Sequence, residues 1–139
     1  MRDEPLRTLL RLRRLALDEA RLTLATSLAA ETEAADLCRS IEEAIRRETD
    51  VASRVDAGDA TVEAFALWLR QTLTEQAAAS VALTDAEGRT HEARIVLTVA
   101  RSAVEAVETE IERREGVRRQ EGERREQRSL DEISAHAPR

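Results

Sequence analysis

Cys38, His91 and His136 supply all the thiol and imidazole groups of this 139-residue chain, so they are the first residues to test for chemistry. A zinc or other transition-metal site needs several such ligands converging, typically including pairs a few residues apart. His91 and His136 lie 45 residues apart, and neither has a second ligand at metal-binding spacing. Cys38 falls on an apolar periodic position and reads as a small hydrophobe; the alternative is a reactive thiol. Neighbouring acids such as Glu42 and Glu43 point to different faces of a helix and form no acid–base dyad. No glycine-rich phosphate loop occurs. The expectation is a protein that is not an enzyme, with no catalytic residues, no cofactor and no metal.

The elements that carry these residues explain the absence of a catalytic centre. Aromatic residues make up 1% of the chain, as Phe65 and Trp68, while charged residues make up 36%. Between residues 6 and 115 only Gly58 and Gly88 interrupt a sequence dominated by Ala, Leu, Glu and Arg. Such a mixture cannot fill a thick core, but it suits long helices that touch along a narrow stripe. Disorder would also explain the charge, but not the regular Leu, Val and Ile. A two-helix body offers no deep pocket in which a carboxylate could shift its pKa.

The C-terminal half shows the stripe best. Alternate steps of three and four residues from Val62 give Phe65, Leu69, Thr72, Gln76, Ala79, Leu83, Ala86, Thr90, Ala93, Leu97, Ala100, Val104, Val107 and Ile111. Only Thr72, Gln76 and Thr90 depart from an apolar set. A seven-residue period held this long predicts a left-handed supercoil, spanning roughly 75 Å at 1.5 Å per residue. The N-terminal half carries a rougher partner stripe. Leu10, Leu17, Leu24, Cys38, Ile45 and Ala52 keep one heptad position; Ala20, Ala34, Ile41 and Val55 keep the other. Ser27, Glu31 and Glu48 interrupt it. Leu9, Leu12, Leu15, Leu22 and Leu28 widen the apolar face near the start, which means either a third surface to bury or frayed helix residues with no partner.

Val55-Asp56-Ala57-Gly58-Asp59 separates the halves. Gly58 suits the left-handed conformation that ends a helix, and Asp59 suits the next N-cap. A connection this short makes the helices antiparallel. The predicted fold class is therefore all-α: two long helices, 5–56 and 60–135 with a turn at 56–60, in an antiparallel coiled-coil hairpin forming one domain over 1–139. Asp3-Glu4-Pro5 reads as the opening cap with proline in the first turn. Counting outward from Gly58 sets Leu10 opposite the region of Val107, with the seam closing near Ile111. Residues 112–129 contain Val117 alone among large apolar types, so a polar helical extension is expected past the seam. Glu110–Arg114, Glu115–Arg119 and Glu121–Arg125 are spaced for ion pairs along it. Gly116 and Gly122 weaken this helix, and Leu130 and Ile133 restore a small apolar face before Pro138.

The net charge of −6 is unevenly spread. Residues 1–14 hold five Arg against Asp3 and Glu4, and residues 112–129 hold seven Arg against five Glu. Residues 15–111 hold nine Arg against nineteen acids, so a basic open end is expected on an acidic shaft. Nucleic acid is not the expected partner, because glutamates interleave with the arginines and no aromatic platform lies near them. The basic tail reads either as a solvated ion-pair helix or as a segment docking into an acidic protein cavity. No apolar run approaches the ~18 residues of a membrane span. Arg11, Arg13 and Arg14 break up any secretory signal. The single cysteine rules out an internal disulfide and fits a reducing compartment, so the expected location is cytoplasmic. All basic residues are Arg, which reads as a mark of GC-rich coding.

Pro5-Leu6-Arg7-Thr8-Leu9-Leu10-Arg11-Leu12-Arg13, followed by Leu17-Asp18-Glu19-Ala20, is similar to the opening of the FliJ family, a coiled-coil component of the bacterial flagellar type III export apparatus. Asp56-Ala57-Gly58 followed by Phe65, Trp68 and Leu69 resembles that family's hairpin tip. Glu126-Gln127-Arg128-Ser129-Leu130-Asp131-Glu132-Ile133 resembles its C-terminal stretch. The resemblance covers nearly the whole chain, although the family is commonly richer in Lys, Gln and aromatics. It implies a non-enzymatic stalk that couples a hexameric, FliI-like export ATPase ring to a FlhA-like export gate and assists export chaperones. It further implies a protein peripheral to the inner membrane at the flagellar base, held there through protein partners alone. On this footing Arg7, Arg11, Arg13, Arg14, Arg118, Arg119, Arg124 and Arg125 are expected to face the ATPase. Phe65 and Trp68 are expected to face the gate; the alternative for Trp68 is a flanking side chain folded over the seam.

Three other readings compete. A stalk of a virulence type III secretion system would look the same in sequence. A prefoldin-type chaperone hairpin would need strands at its tip, for which the residues around Gly58 leave no room. A generic coiled-coil scaffold would be expected to self-associate.

Overall fold

The computed structural model describes residues 3–54 and 58–138. They form two helices, α1 (Glu4–Arg54) and α2 (Asp59–Ala135), which pack against each other as an all-α hairpin. No strand occurs among the described residues. Val55, Asp56 and Ala57, on which much of the expected turn falls, lie outside them. Two compact units are distinguished along the helices: Met1–Asp18 with Thr98–Arg139, and Glu19–Leu97.

In the unit Glu19–Leu97 the seven-residue period decides which side chains leave water. Ala20, Ala79, Ala86 and Ala93 are buried, and Phe65, Leu69, Leu83 and Leu97 are half-buried. On α1 the half-buried set is Leu24, Ser27, Glu31, Ala34, Cys38, Ile41, Ile45 and Ala52, with Ala35 and Ala44 beside them. Alanine at so many contact positions lets two backbones approach closely, and it buries little area per residue.

The two threonines of the stripe are part of it. Thr72 is buried, and Thr90 is the most completely enclosed side chain of the described residues, at 1% exposure. Each hydroxyl donates to the carbonyl one turn back: Thr72 Oγ1 to Trp68 O at 2.8 Å, Thr90 Oγ1 to Ala86 O at 3.1 Å. A buried hydroxyl is costly only when unpaired, and the helix itself supplies these acceptors. Two seam expectations do not hold at side-chain level. Val62 is 56% exposed, and Glu48 points to solvent. Both lie toward the helix ends nearest the connection.

Gly58 opens α2 rather than closing α1. Its carbonyl accepts from Thr61 N–H at 3.0 Å and Val62 N–H at 3.3 Å, which makes it the N-cap, with Asp59 as the first helical residue. Gly is accepted at this position, and the Asp59 carboxylate still sits in the first turn, at the positive end of the helix dipole. No glycine among the described residues has positive φ. Gly88 lies inside α2, which continues through it unbroken.

In the unit Met1–Asp18 with Thr98–Arg139, Leu17, Val104 and Val107 are buried, and Leu6, Leu9, Leu10, Ala100, Ala103 and Ile111 are half-buried. Arg14 pairs with Glu108 at 3.3 Å and Arg7 with Glu115 at 3.8 Å. A step of seven residues forward on α1 thus matches seven backward on α2, the signature of antiparallel helices. These pairs set Leu10 and Arg11 level with Ile111 and Glu112, about one turn beyond the expected Val107 region. Counting equally outward from Gly58 works only for two helices of the same pitch that start at the same height. The contact also runs past Ile111, but in polar form: Asp3 is buried and pairs with Arg118. From Arg118 to Pro138 every residue is exposed.

A Cβ placed on Gly88 would meet nothing within 4 Å. Gly88→Ala should therefore stabilise the hairpin by about 1 kcal/mol, since alanine restricts the unfolded chain and fits the helix. Urea unfolding followed by circular dichroism checks this. In the same assay Thr90→Glu should lower stability by roughly 3 kcal/mol or more, because it buries an unpaired charge in the seam.

Candidate functional site: two binding surfaces

Among the described residues no three His, Cys, Asp or Glu side chains group closely enough to hold a metal ion. Cys38 is half-buried at its seam position, consistent with a packing role. What the described residues of each unit do present is a group of exposed or half-buried side chains, arginines in one and aromatics in the other.

The first surface belongs to the unit Met1–Asp18 with Thr98–Arg139. The arginines singled out from sequence divide into two groups there. Arg7, Arg14 and Arg118 reach across to the other helix and neutralise Glu115, Glu108 and Asp3. Arg11 hydrogen-bonds locally, Nη2 to Thr8 Oγ1 at 3.3 Å. Arg13, Arg119, Arg124 and Arg125 are exposed and have no ion-pair partner among the described residues. Of the ion pairs expected along α2, Glu110–Arg114 forms at 2.9 Å. Glu115–Arg119 does not, because Glu115 turns to Arg7 on α1, and Glu121–Arg125 is not made among the described residues. An exposed i,i+4 pair is worth only tenths of a kcal/mol, so a partner across the seam displaces it readily.

Glu110 gathers three such bonds. Arg113 donates two hydrogen bonds to it, at 2.9 and 2.8 Å, and Arg114 a third at 2.9 Å. The Arg113 hydrogen bonds, then the one from Arg114, hold the Glu110 carboxyl at about 2, against an ordinary 4.5. Arg113 is raised in turn, mainly by its hydrogen bond to Glu110. Beside this cluster, Asp3, Arg113, Arg114, Val117, Arg118 and Glu121 line an open depression of about 220 Å³.

The second surface belongs to the unit Glu19–Leu97. Phe65 and Trp68, three residues apart on α2, stack with ring centroids 6.0 Å apart and planes 28° from parallel. Both are half-buried. Phe65 takes a seam position, and Trp68 lies beside it. Together with Glu48, Val51, Ala52, Thr61 and Ala64 they line a groove of about 280 Å³. Stacked, preordered aromatics beside a shallow groove are a common anchor for a protein partner. The α1 contributors Glu48, Val51 and Ala52 were not apparent from sequence as groove residues. Asp3, Glu108 and Glu115 were likewise missed as partners of the arginines. Their signal lay in the matched seven-residue spacing of Arg7 and Arg14 with Glu108 and Glu115, which becomes readable once the antiparallel level is known.

Among the described residues no helix is long and apolar enough to cross a membrane. The family model described as "Flagellar FliJ protein" matches residues 1–139, the whole chain. No curated protein and no solved structure matches at a significant level.

The Glu110 carboxyl has a testable pH signature. Its folded pKa is depressed, so its contribution to stability is present above the ordinary 4.5 and is lost as pH falls through about 2. A carboxyl-detected NMR titration should place Glu110 near 2, and Arg113→Gln should move it back toward 4.5.

Proposed function

The chain belongs to the flagellar FliJ family, and on that premise we propose that it couples an export ATPase ring to the export gate and assists export chaperones. Membership establishes the coarser role, a non-enzymatic stalk component of flagellar type III protein export. The single observation that carries the finer reading is the family match over the whole of the chain. The two surfaces give that reading its residues.

Arg7, Arg11, Arg13, Arg14, Arg118, Arg119, Arg124 and Arg125 face the ATPase in this proposal. The geometry supports a division of labour among them. Arg7, Arg14 and Arg118 are committed to cross-helix pairs, so they order the surface and keep a share of their charge for a partner. Arg13, Arg119, Arg124 and Arg125 carry uncompensated charge and would meet acidic side chains of the ring directly. Phe65 and Trp68 face the export gate. Their stacking removes rotamer freedom in advance, so less entropy is lost when a partner covers them.

Replacing Arg13, Arg119, Arg124 and Arg125 together by Glu should abolish stimulation of the purified export ATPase while circular dichroism stays unchanged. Unaltered stimulation would remove the assignment. Trp68→Ala should weaken gate binding about tenfold or more, as the loss of an interfacial aromatic anchor does. Full gate binding and normal motility in that variant would defeat the gate assignment.

A further inference from the structure

Among the ion pairs that tie α1 to α2 in the unit Met1–Asp18 with Thr98–Arg139, Asp3–Arg118 differs in kind. In Arg7–Glu115 and Arg14–Glu108 all four side chains are open to water, between 43% and 66% exposed. In Asp3–Arg118 the carboxylate side chain is 9% exposed and the arginine 51%. Asp3 is the one buried charged side chain among the described residues, yet its partner lies open to the surface.

Asp3 also begins α1. Its carbonyl accepts from Arg7 N–H at 2.9 Å, which makes it the N-cap, ahead of Glu4 and Pro5. One residue therefore holds the first turn of α1 through its backbone and Arg118 of α2 through its side chain. Arg118 is steadied from its own helix, with Nε donating to Arg114 O at 3.4 Å. Past Arg118 every residue of α2 is exposed.

The open depression beside this pair has both signs on its walls, Asp3 and Glu121 with Arg113, Arg114 and Arg118, so its net charge selects no partner. Pairing separates the arginines instead. Arg113 and Arg114 both bond Glu110 of their own helix, so drawing either away leaves α1 untouched. Drawing Arg118 away strands a buried carboxylate, which is strongly unfavourable. Asp3 stands at a helix terminus, where few bonds hold the backbone. Its carboxylate regains water by unwinding the first turn of α1, with the rest of the hairpin intact.

We propose that Asp3 is an internal latch: it occupies Arg118 in the free protein, and an acidic group of a partner takes its place and releases the first turn of α1. The latch lowers the affinity of Arg118 for such a group, because the accessible arginine is only part of the population. It rests on the reading of Arg118 as a partner contact, but not on which partner makes that contact.

The test uses the full chain, an oligoglutamate peptide as the acidic probe, and hydrogen exchange at the Arg7 and Thr8 amides. Arg118→Gln should speed that exchange about tenfold or more, while the seam around Val104 and Val107 stays protected. Saturating peptide should do the same to the unaltered protein. Asp3→Ser keeps a good N-cap but is uncharged and too short to hold Arg118, so it should bind the peptide about threefold or more tightly than the unaltered chain. Glu4→Gln removes a neighbouring negative charge and measures the general charge effect, which Asp3→Ser should exceed. Adding Arg118→Gln to Asp3→Ser should cancel the excess. Exchange unmoved by Arg118→Gln, peptide bound with the Arg7 amide still protected, or no peptide binding would overturn the latch. So would Asp3→Ser binding no more tightly than Glu4→Gln, or an excess that survives Arg118→Gln. Stimulation of the export ATPase is read in its own assay, so failure of that assignment and failure of the latch are told apart.

Discussion

Everything in this protein depends on a narrow, seven-residue-periodic seam between two helices. The described residues form two helices and no third layer, so each helix has a single stripe in which to lose water. That constraint explains the choice of residues. Ala79, Ala86 and Ala93 are buried because small side chains allow close approach along the seam. Thr72 and Thr90 are admitted because their hydroxyls bond within α2, asking nothing of α1. A groove between two helices is shallow, so it desolvates a carboxylate little, and desolvation is one of the main ways a protein shifts a pKa.

The seam supplies affinity between the helices but is weak at fixing their level, because alanines seven residues apart look alike to a sliding partner. Charges supply what it lacks. Arg7–Glu115 and Arg14–Glu108 meet only when the helices run antiparallel at one particular level, and Asp3–Arg118 adds a third constraint beyond the last apolar contact. Each exposed pair contributes little free energy. Their value is selective: a shift by one heptad keeps a single Arg–Glu match, Arg14 with Glu115 or Arg7 with Glu108, and sets the other arginine against Gly122 or Arg101. The same arginines that sequence alone marks as a partner's target are thus partly occupied with holding the hairpin in register.

How far this could be read in advance follows from the same physics. The seven-residue period of α2 was legible from Phe65 to Ile111, because one residue type per position is enough to reveal it. The helical hairpin and the polar continuation of α2 followed from composition and from the short connection around Gly58. The level of one helix against the other was not legible, since it is fixed by Arg7, Arg14, Glu108 and Glu115 acting across the seam and not by the count from the turn. For that reason Glu115 was assigned to Arg119, its neighbour in sequence, when it belongs to Arg7, its neighbour in space. The aromatic groove was half legible: Phe65 and Trp68 stand out in a chain with 1% aromatic residues, but their α1 neighbours Glu48, Val51 and Ala52 carry no mark in sequence.

A two-helix structure leaves most of its surface facing water, so exposure alone says little about where partners bind. Pairing says more. A charge already neutralised within the fold has less to offer a partner, because its existing bond must be given up first. By that criterion Arg13, Arg119, Arg124 and Arg125 keep charge for the proposed ATPase contact that Arg7, Arg14 and Arg118 share with the fold, although all seven look alike in sequence. Preorganisation works in the same direction for Phe65 and Trp68, whose mutual stacking fixes them before any partner arrives. The proposed contacts thus fall where a charge is left unsatisfied, as at the four arginines, or where a neighbour has ordered the side chain, as at Phe65 and Trp68.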